Sequence, residues 1–228
     1  MMSVDFSTLS PQHCPTLWQN FYQNTQIQAF VQDIGINTDD TLYATLKHAW
    51  QHLPDDEFQQ TDWLIALFNH LYQHGSMPTV LVRGESEPEY FASRGGEPAR
   101  ILFAHGFFQS ALHEISHWCV AGAKRRGLDD FGYWYCPDGR NEATQRQFEQ
   151  VEIKPQAIEC LLSLALGRYF YVSADNLNAD FDTSDSTFAQ DVYAKAHEYL
   201  TDPHTLSKDA KRLIWVFLDI NFANVKQG

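Results

Sequence analysis

Apolar residues recur at helical spacing along the first third of this chain. Residues 16–34 and 39–53 each place apolar side chains on one face and polar side chains on the other, which predicts two amphipathic helices. A third helix is predicted to begin at Asp62, because aspartate is a preferred helix N-cap, and to end near Gly75. The polar stretch 54–57 between the second and third helices indicates an internal boundary.

After Gly75 the spacing of apolar residues shortens from the helical period to the period that is typical of β-strands. Residues 79–83 and 89–92 are rich in β-branched and aromatic side chains and flank a turn at Gly84, which predicts two short strands. No proline interrupts residues 101–127, where apolar residues return to helical spacing at Phe103, Phe107, Ala111, Ile115 and Cys119. This run predicts one long helix that ends at Gly127, directly after three basic residues.

The rest of the chain is predicted to be mostly helical. Residues 132–136 have strand character, and a turn follows them. Helical patterns cover residues 145–166, 189–200 and 208–217. Pro155 predicts a break or a helix start, because proline lacks the N–H that a helix interior uses. The pattern as a whole predicts an α+β protein: a mainly helical single domain with a small β-sheet.

Composition narrows the class of protein. The 228 residues include 16 basic and 29 acidic ones, and the formal charge of −13 disfavours binding to phosphate backbones. The N-terminal segment has no basic region followed by an apolar core, and no segment approaches the roughly 20 apolar residues that cross a bilayer. The four cysteines form no CxxC pair, which favours reduced thiols. We expect a soluble cytoplasmic protein that binds neither nucleic acid nor membranes.

One motif in the predicted 101–127 helix contains residues that can bind a metal ion. His113 and His117 are four residues apart, so their side chains lie on one face of a helix and can grip a single metal ion. Glu114 completes an HExxH motif like that of metallopeptidases. The alternative interpretation is a surface helix whose histidines are merely solvated.

A histidine pair leaves a divalent metal ion under-coordinated, so a third ligand must come from elsewhere. The candidates are three glutamates of the 145–166 segment, Glu149, Glu152 and Glu159. A solvated acidic stripe is the alternative interpretation of these glutamates. His105 lies about two helical turns before His113, too far along the axis to share the ion, and is interpreted as a supporting or core residue.

Three classes of function are open on this chemistry. The default for HExxH with a distant glutamate is a zinc-dependent peptidase or amidohydrolase, in which Glu114 takes a proton from metal-bound water. The second is an iron enzyme that activates oxygen, because two histidines and one carboxylate leave sites for oxygen and substrate. The third is a structural metal site in a protein-binding module. Such sites usually have four protein ligands, often cysteines, and none lies at suitable spacing here.

Five segments in and beyond this motif have distinctive sequences: residues 103–107, 110–119, 130–140, 147–157 and 175–177. Together they resemble the bacterial elongation factor P hydroxylase family, and the resemblance covers most of the chain from about Asp62 onward. It implies that residues 59–228 form a metal-binding hydroxylase domain. Residues 1–58 are then expected to be an N-terminal helical extension.

The resemblance implies a specific reaction. Members of this family hydroxylate the lysine of elongation factor P that already carries a β-lysyl group, using non-haem Fe(II) and molecular oxygen. The expected partner is therefore β-lysylated elongation factor P. The resemblance implies that His113 and His117 bind the metal and that Glu114 is catalytic. It favours Glu152 as the third metal ligand, with Glu159 as the reserve.

Two further groups of residues are candidates for contact with the substrate. We expect the aromatic residues Tyr133, Trp134 and Tyr135 either to wall the long aliphatic side chain or to pack in the core. We expect the acidic residues Asp129, Asp130 and Asp138 either to attract its ammonium groups or to be solvated turn residues.

Overall fold

The computed structural model describes residues 4–34, 40–132, 140–173 and 186–225. In these ranges the chain forms nine α-helices and three β-strands. The helices are α1 (Pro15–Gln23), α2 (Thr25–Gln32), α3 (Thr41–Trp50), α4 (Glu57–Tyr72), α5 (Phe108–Val120), α6 (Ala123–Arg126), α7 (Glu142–Ala165), α8 (Phe188–Thr201) and α9 (Lys208–Val225). None of the helices in the described ranges is long and apolar enough to cross a membrane.

The three strands, β1 (Thr79–Arg83), β2 (Glu89–Phe91) and β3 (Ala99–Phe103), form one mixed sheet. Its order is β1-β3-β2, with β1 parallel and β2 antiparallel to the central β3. Leu81, Ile101 and Tyr90 lie side by side across the sheet and are all buried, so this row faces the core. The two predicted strands are confirmed, but the sequence prediction missed β3, which separates them.

The helix that carries the histidine pair is shorter than predicted at both ends. α5 begins at Phe108 and ends at Val120, and residues 101–103 belong to β3. Phe103 is buried in the sheet. The prediction failed here because apolar residues at helical spacing are also compatible with a buried strand. The basic residues before Gly127 form the separate short helix α6.

The predicted helix break at Pro155 is wrong. α7 runs for 24 residues, from Glu142 to Ala165, with Pro155 inside it. Proline removes the N–H that would bond the carbonyl of Val151, four residues earlier. Val151 is exposed and Pro155 is buried, and the helix continues through this position with one backbone hydrogen bond fewer.

Two boundaries in the N-terminal third also differ from the prediction. The predicted 16–34 helix is two helices, α1 and α2, because Asn24 ends the first and caps the second with its side chain. α4 begins at Glu57 with Asp56 as its N-cap, so the predicted start at Asp62 is wrong. Asp62 instead forms a 2.8 Å ion pair with Arg83 of β1.

α5 and α7 pack against each other at the centre of the molecule, and α9 contacts both. Both helices carry buried apolar residues, Ala111, Leu112 and Ile115 on α5 and Ala157, Ile158, Leu161 and Leu162 on α7. The N-terminal helices α1, α2 and α3 pack against α9. The division into residues 1–58 and 59–228 stays a prediction.

The predicted α+β class is confirmed, since helices dominate the described residues and the strands form one small sheet. Cys119 and Cys160 are buried free thiols, which agrees with the expectation of reduced cysteines. The predictions for Tyr133, Trp134, Tyr135 and Asp138, and the resemblance at residues 175–177, fall outside the described residues.

Candidate metal centre

Two histidines on one face of α5 form the first half of the site. His113 and His117 project toward α7, and their side chains are 30% and 22% exposed. Their Nε2 atoms are 3.1 Å apart. Two nitrogens that are each about 2.0–2.1 Å from one zinc ion lie about 3.0–3.4 Å apart. The pair therefore has the spacing of two ligands of one ion.

Glu152 of α7 supplies the third donor. One of its oxygens lies 3.2 Å from Nε2 of His117, and the other lies 3.7 Å from Nε2 of His113. The three side chains offer donor atoms that all lie within 4.8 Å of one another. Glu152 is buried, whereas both histidines are partly open. The carboxylate thus lies on the interior side of the site, and the two histidines lie on its more exposed side.

Glu159 lies two turns further along α7 and faces a different atom. Its Oε2 lies 2.8 Å from Nδ1 of His113, on the opposite edge of the ring from Glu152. Its Oε1 accepts a hydrogen bond from Gln109. As the residue numbers of α5 rise from Gln109 to His117, their partners on α7 run backwards from Glu159 to Glu152, so the two helices are antiparallel here.

Gln156 supports the other carboxylate. Its Nε2 lies 3.4 Å from Oε2 of Glu152 and donates to the carbonyl of Ser173 at 2.7 Å. The backbone N–H of Ser173 donates back to Gln156 at 3.0 Å. Sequence reasoning missed Gln109, and it placed Gln156 on the same helix face as Glu152 and Glu159 without assigning it a role. The available signal was their spacing of four residues from His113 and Glu152 on the same helices.

The histidines and glutamates of the site shift one another's pKa values. Burial would lower the pKa of His113, but Glu159 and then Glu152 raise it to about 10. Burial would raise the pKa of Glu152, but His117 and then His113 lower it to about 2. A protonated His113 therefore offsets the negative charge of Glu152 when no metal ion is bound. The site therefore stabilises a positive charge.

Glu114 is half-buried on α5 beside this cluster. Burial raises the pKa of its carboxyl group, although His113 and His117 oppose the rise. No described residue donates a hydrogen bond to it. A carboxyl group with a raised pKa and no fixed donor can take up and return a proton.

The other candidate residues do not join the site. Glu149 accepts hydrogen bonds from Gln145 and Ser186. His105 is exposed outside α5, so its interpretation as a supporting or core residue is wrong. Asp129 and Asp130 accept hydrogen bonds from the backbone N–H groups of β2 and of the residue after it, where they fix that strand.

Two imidazoles and one carboxylate, in a mainly helical α+β fold, define a candidate mononuclear metal centre with open coordination positions. The sequence profile of the family described as Elongation factor P hydroxylase matches residues 67–223, so the chain belongs to that family. It is also similar to the Elongation factor P lysine hydroxylase of Haemophilus influenzae. The two are 50% identical over 138 residues, which is 60% of this chain and 76% of the relative. All the candidate site residues lie within the profile match.

Proposed function

We propose that this protein hydroxylates a lysine of elongation factor P that already carries a β-lysyl group, at a centre in which His113, His117 and Glu152 hold Fe(II). One observation carries the proposal: a member of this family brings these three side chains together, with donor atoms within 4.8 Å of one another. The name of the Haemophilus influenzae relative identifies its substrate as a lysine of elongation factor P.

The donor set fits iron. Two imidazoles and one carboxylate on one side of the ion are the ligands of many non-haem Fe(II) oxygenases. Fe(II), when bound, supplies the oxygen activation that hydroxylation of an unactivated carbon needs and that acid–base side chains cannot provide. Hydroxylation places one oxygen atom in a C–H bond and releases the other as water. The reaction therefore needs two electrons and two protons from a donor.

In this proposal the protein's own residues supply a negative metal ligand, a proton donor and an open side for the substrate. Glu152 stays ionised at neutral pH, because the histidines lower its pKa to about 2, and it offers a negative ligand at the buried end of the site. Glu114 is free to deliver a proton as oxygen is reduced. The partly exposed histidine side leaves room for a long side chain to approach.

The charge of the chain suits this substrate. A β-lysyl-lysine side chain is long and cationic, and the formal charge of −13 attracts such a group while it repels nucleic acid. Electrostatic attraction of this kind mainly speeds association and selects partners. Since elongation factor P acts in translation, we expect the reaction to take place in the cytoplasm.

A zinc hydrolase is the second candidate, and one observation favours it. Glu114 directly follows a candidate metal ligand and has no fixed hydrogen-bond donor among the described residues, as the general base of an HExxH hydrolase requires. The same three donors also suit zinc. Zinc has no redox chemistry, so the two candidates differ in their need for oxygen.

The deciding experiment uses the full chain, loaded anaerobically with Fe(II) and supplied with a chemical reductant. Purified β-lysylated elongation factor P is added, and ¹⁸O-labelled oxygen starts the reaction. Intact-mass and peptide mass spectrometry then follow the modified lysine. We expect one labelled oxygen atom on that residue. The zinc-loaded protein and unmodified elongation factor P serve as controls, and neither should give labelled product.

Two results would overturn the proposal. One is an iron-loaded protein that adds no oxygen to correctly modified substrate. The other is cleavage of a peptide or amide bond by the zinc-loaded protein without oxygen, which would establish the hydrolase instead.

A further inference from the structure

His113 contacts two glutamates of α7 through opposite edges of its ring. Glu159 lies 2.8 Å from Nδ1, whereas Glu152 lies 3.7 Å from Nε2. Both glutamates are buried and are two turns apart on one helix, so residue type and burial do not distinguish their roles. The two glutamates are distinguished by the ring nitrogen of His113 that each of them faces.

The contact at Nδ1 decides where His113 carries its hydrogen. Carboxylate oxygens accept hydrogen bonds, so Nδ1, which lies 2.8 Å from Oε2 of Glu159, is the ring nitrogen that donates. A neutral His113 then has its lone pair on Nε2, which points toward His117 and Glu152. Glu159 thus selects the form of the ring that can bind a metal ion at the candidate centre.

Gln109 fixes Glu159 in turn. It lies one helical turn before His113 on α5 and donates to the second oxygen of Glu159. Both oxygens of this carboxylate are therefore engaged by residues of α5, and neither points to the space between the two Nε2 atoms. A carboxylate held in this way orients its histidine and is not available as a ligand.

We propose that Glu159 is a positioning residue, held by Gln109, that sets the orientation and tautomer of His113 and does not itself bind the metal ion. This inference rests on the metal centre of the proposed function. It extends that function by separating the roles of the two buried glutamates.

Three variants test the proposal, and none of the measurements needs hydroxylase activity. Glu159→Leu removes both acceptor oxygens, and Glu159→Gln keeps an oxygen that can accept from Nδ1. Glu149→Leu is the matched control, because Glu149 is on the same helix but accepts its hydrogen bonds, among the described residues, from Gln145 and Ser186. Zinc affinity is measured by competition with a chromogenic chelator. Nitrogen-15 NMR of the zinc-loaded protein reports whether Nδ1 of His113 carries a hydrogen.

We expect Glu159→Leu to weaken zinc binding about 10–100-fold, the usual cost of losing a residue that orients a metal ligand. It should also lose the hydrogen-bonded Nδ1–H signal. Glu159→Gln should recover most of the affinity and the signal. Glu149→Leu should bind zinc like the unaltered protein, which excludes a general effect of removing an acid from α7.

Two outcomes would overturn the proposal. Unchanged zinc affinity and an unchanged Nδ1–H signal in folded Glu159→Leu would show that the contact has no positioning role. Loss of zinc as complete as in Glu152→Ala would make Glu159 a ligand. If Glu159→Leu is recovered unfolded, Gln109→Leu decides by the same two measurements: reduced affinity with an altered signal supports the proposal, and no change in either refutes it.

The outcome is independent of the reaction. A protein that shows this order of zinc affinities but never hydroxylates elongation factor P would refute the proposed function and leave the positioning role intact. A protein that hydroxylates elongation factor P but binds zinc normally as Glu159→Leu would do the reverse.

Discussion

Two of the carboxylate-centred polar clusters in the described part of the chain invite comparison, because each joins distant segments. At one of them, Asp219 of α9 accepts hydrogen bonds from Tyr22, Tyr43 and Lys47, each at 2.7 Å. The other is the candidate metal centre between α5 and α7. Both lie between helices and are largely shielded from solvent, but they differ in their balance of donors and acceptors.

At the Asp219 cluster, three donors meet one carboxylate, so every polar group has a partner without any added ion. At the metal centre, Glu152 faces two imidazoles whose Nε2 atoms also face each other, and Glu159 and Glu114 add further negative charge. That centre is balanced only when it holds a proton or a cation. The two clusters are similarly buried, so it is the excess of acceptors that distinguishes the candidate metal centre from the Asp219 cluster.

The largest expected effect is the loss of bound metal from the candidate metal centre. His113→Ala and His117→Ala should each reduce bound metal to the background level while the protein stays folded, because either change leaves too few ligands. Elemental analysis of the purified variants measures the metal, and circular dichroism measures the fold. Asp219→Ala should keep its metal. Full metal retention in either histidine variant would remove the basis for the site.

The next effect concerns the Asp219 cluster. Asp219→Ala should lower the free energy of unfolding by about 2–4 kcal/mol, because the hydroxyl groups of Tyr22 and Tyr43 and the ammonium group of Lys47 lose their acceptor. Urea denaturation measures the change, and Asp219→Asn, which keeps an acceptor oxygen, should cost less. A loss below about 1 kcal/mol would contradict the structural role. Loss of metal from folded Asp219→Ala would show that the two clusters are not independent.

Sequence alone located the parts of the metal centre but could not assign all their roles. The spacing of His113 and His117 is sufficient, because a helix places residues four apart on one face. Glu152 and Glu159 are seven residues apart and therefore also share a face, so spacing cannot choose between them. Their different geometry arises from the antiparallel packing of α5, which sets a different ring atom against each carboxylate.

The same limit explains the errors in the fold. Residues 101–103 have an apolar pattern that a helix and a buried strand both satisfy, and only the pairing with β1 and β2 decides in favour of the strand. Pro155 was expected to break a helix, but the helix continues through this position with one backbone hydrogen bond fewer. The spacing of Gln109 and Gln156 from His113 and Glu152 does not identify their roles, because an amide becomes a supporting group only through the carboxylate that packs beside it.

The last expected effect is a dependence on pH that arises from His113 at the candidate metal centre. In the metal-free protein the pKa of His113 is raised from 6.5 to about 10, so the folded state keeps a proton that the unfolded state releases. This stabilisation is fully present below about pH 6.5 and is lost as the pH rises through about 10. The free energy of unfolding attributable to His113 should therefore fall across that range.

Metal binding should show the opposite slope. The metal ion must displace the proton of His113, so zinc affinity should rise about tenfold for each pH unit between roughly pH 7 and 9. Chelator competition measures the affinity, and urea denaturation of the metal-free protein measures the stability. His113→Ala should lose the stability slope, whereas Asp219→Ala should keep both slopes at a lower overall stability. A zinc affinity that does not change with pH would show that no proton is displaced, and the charge balance inferred for the centre would then be wrong.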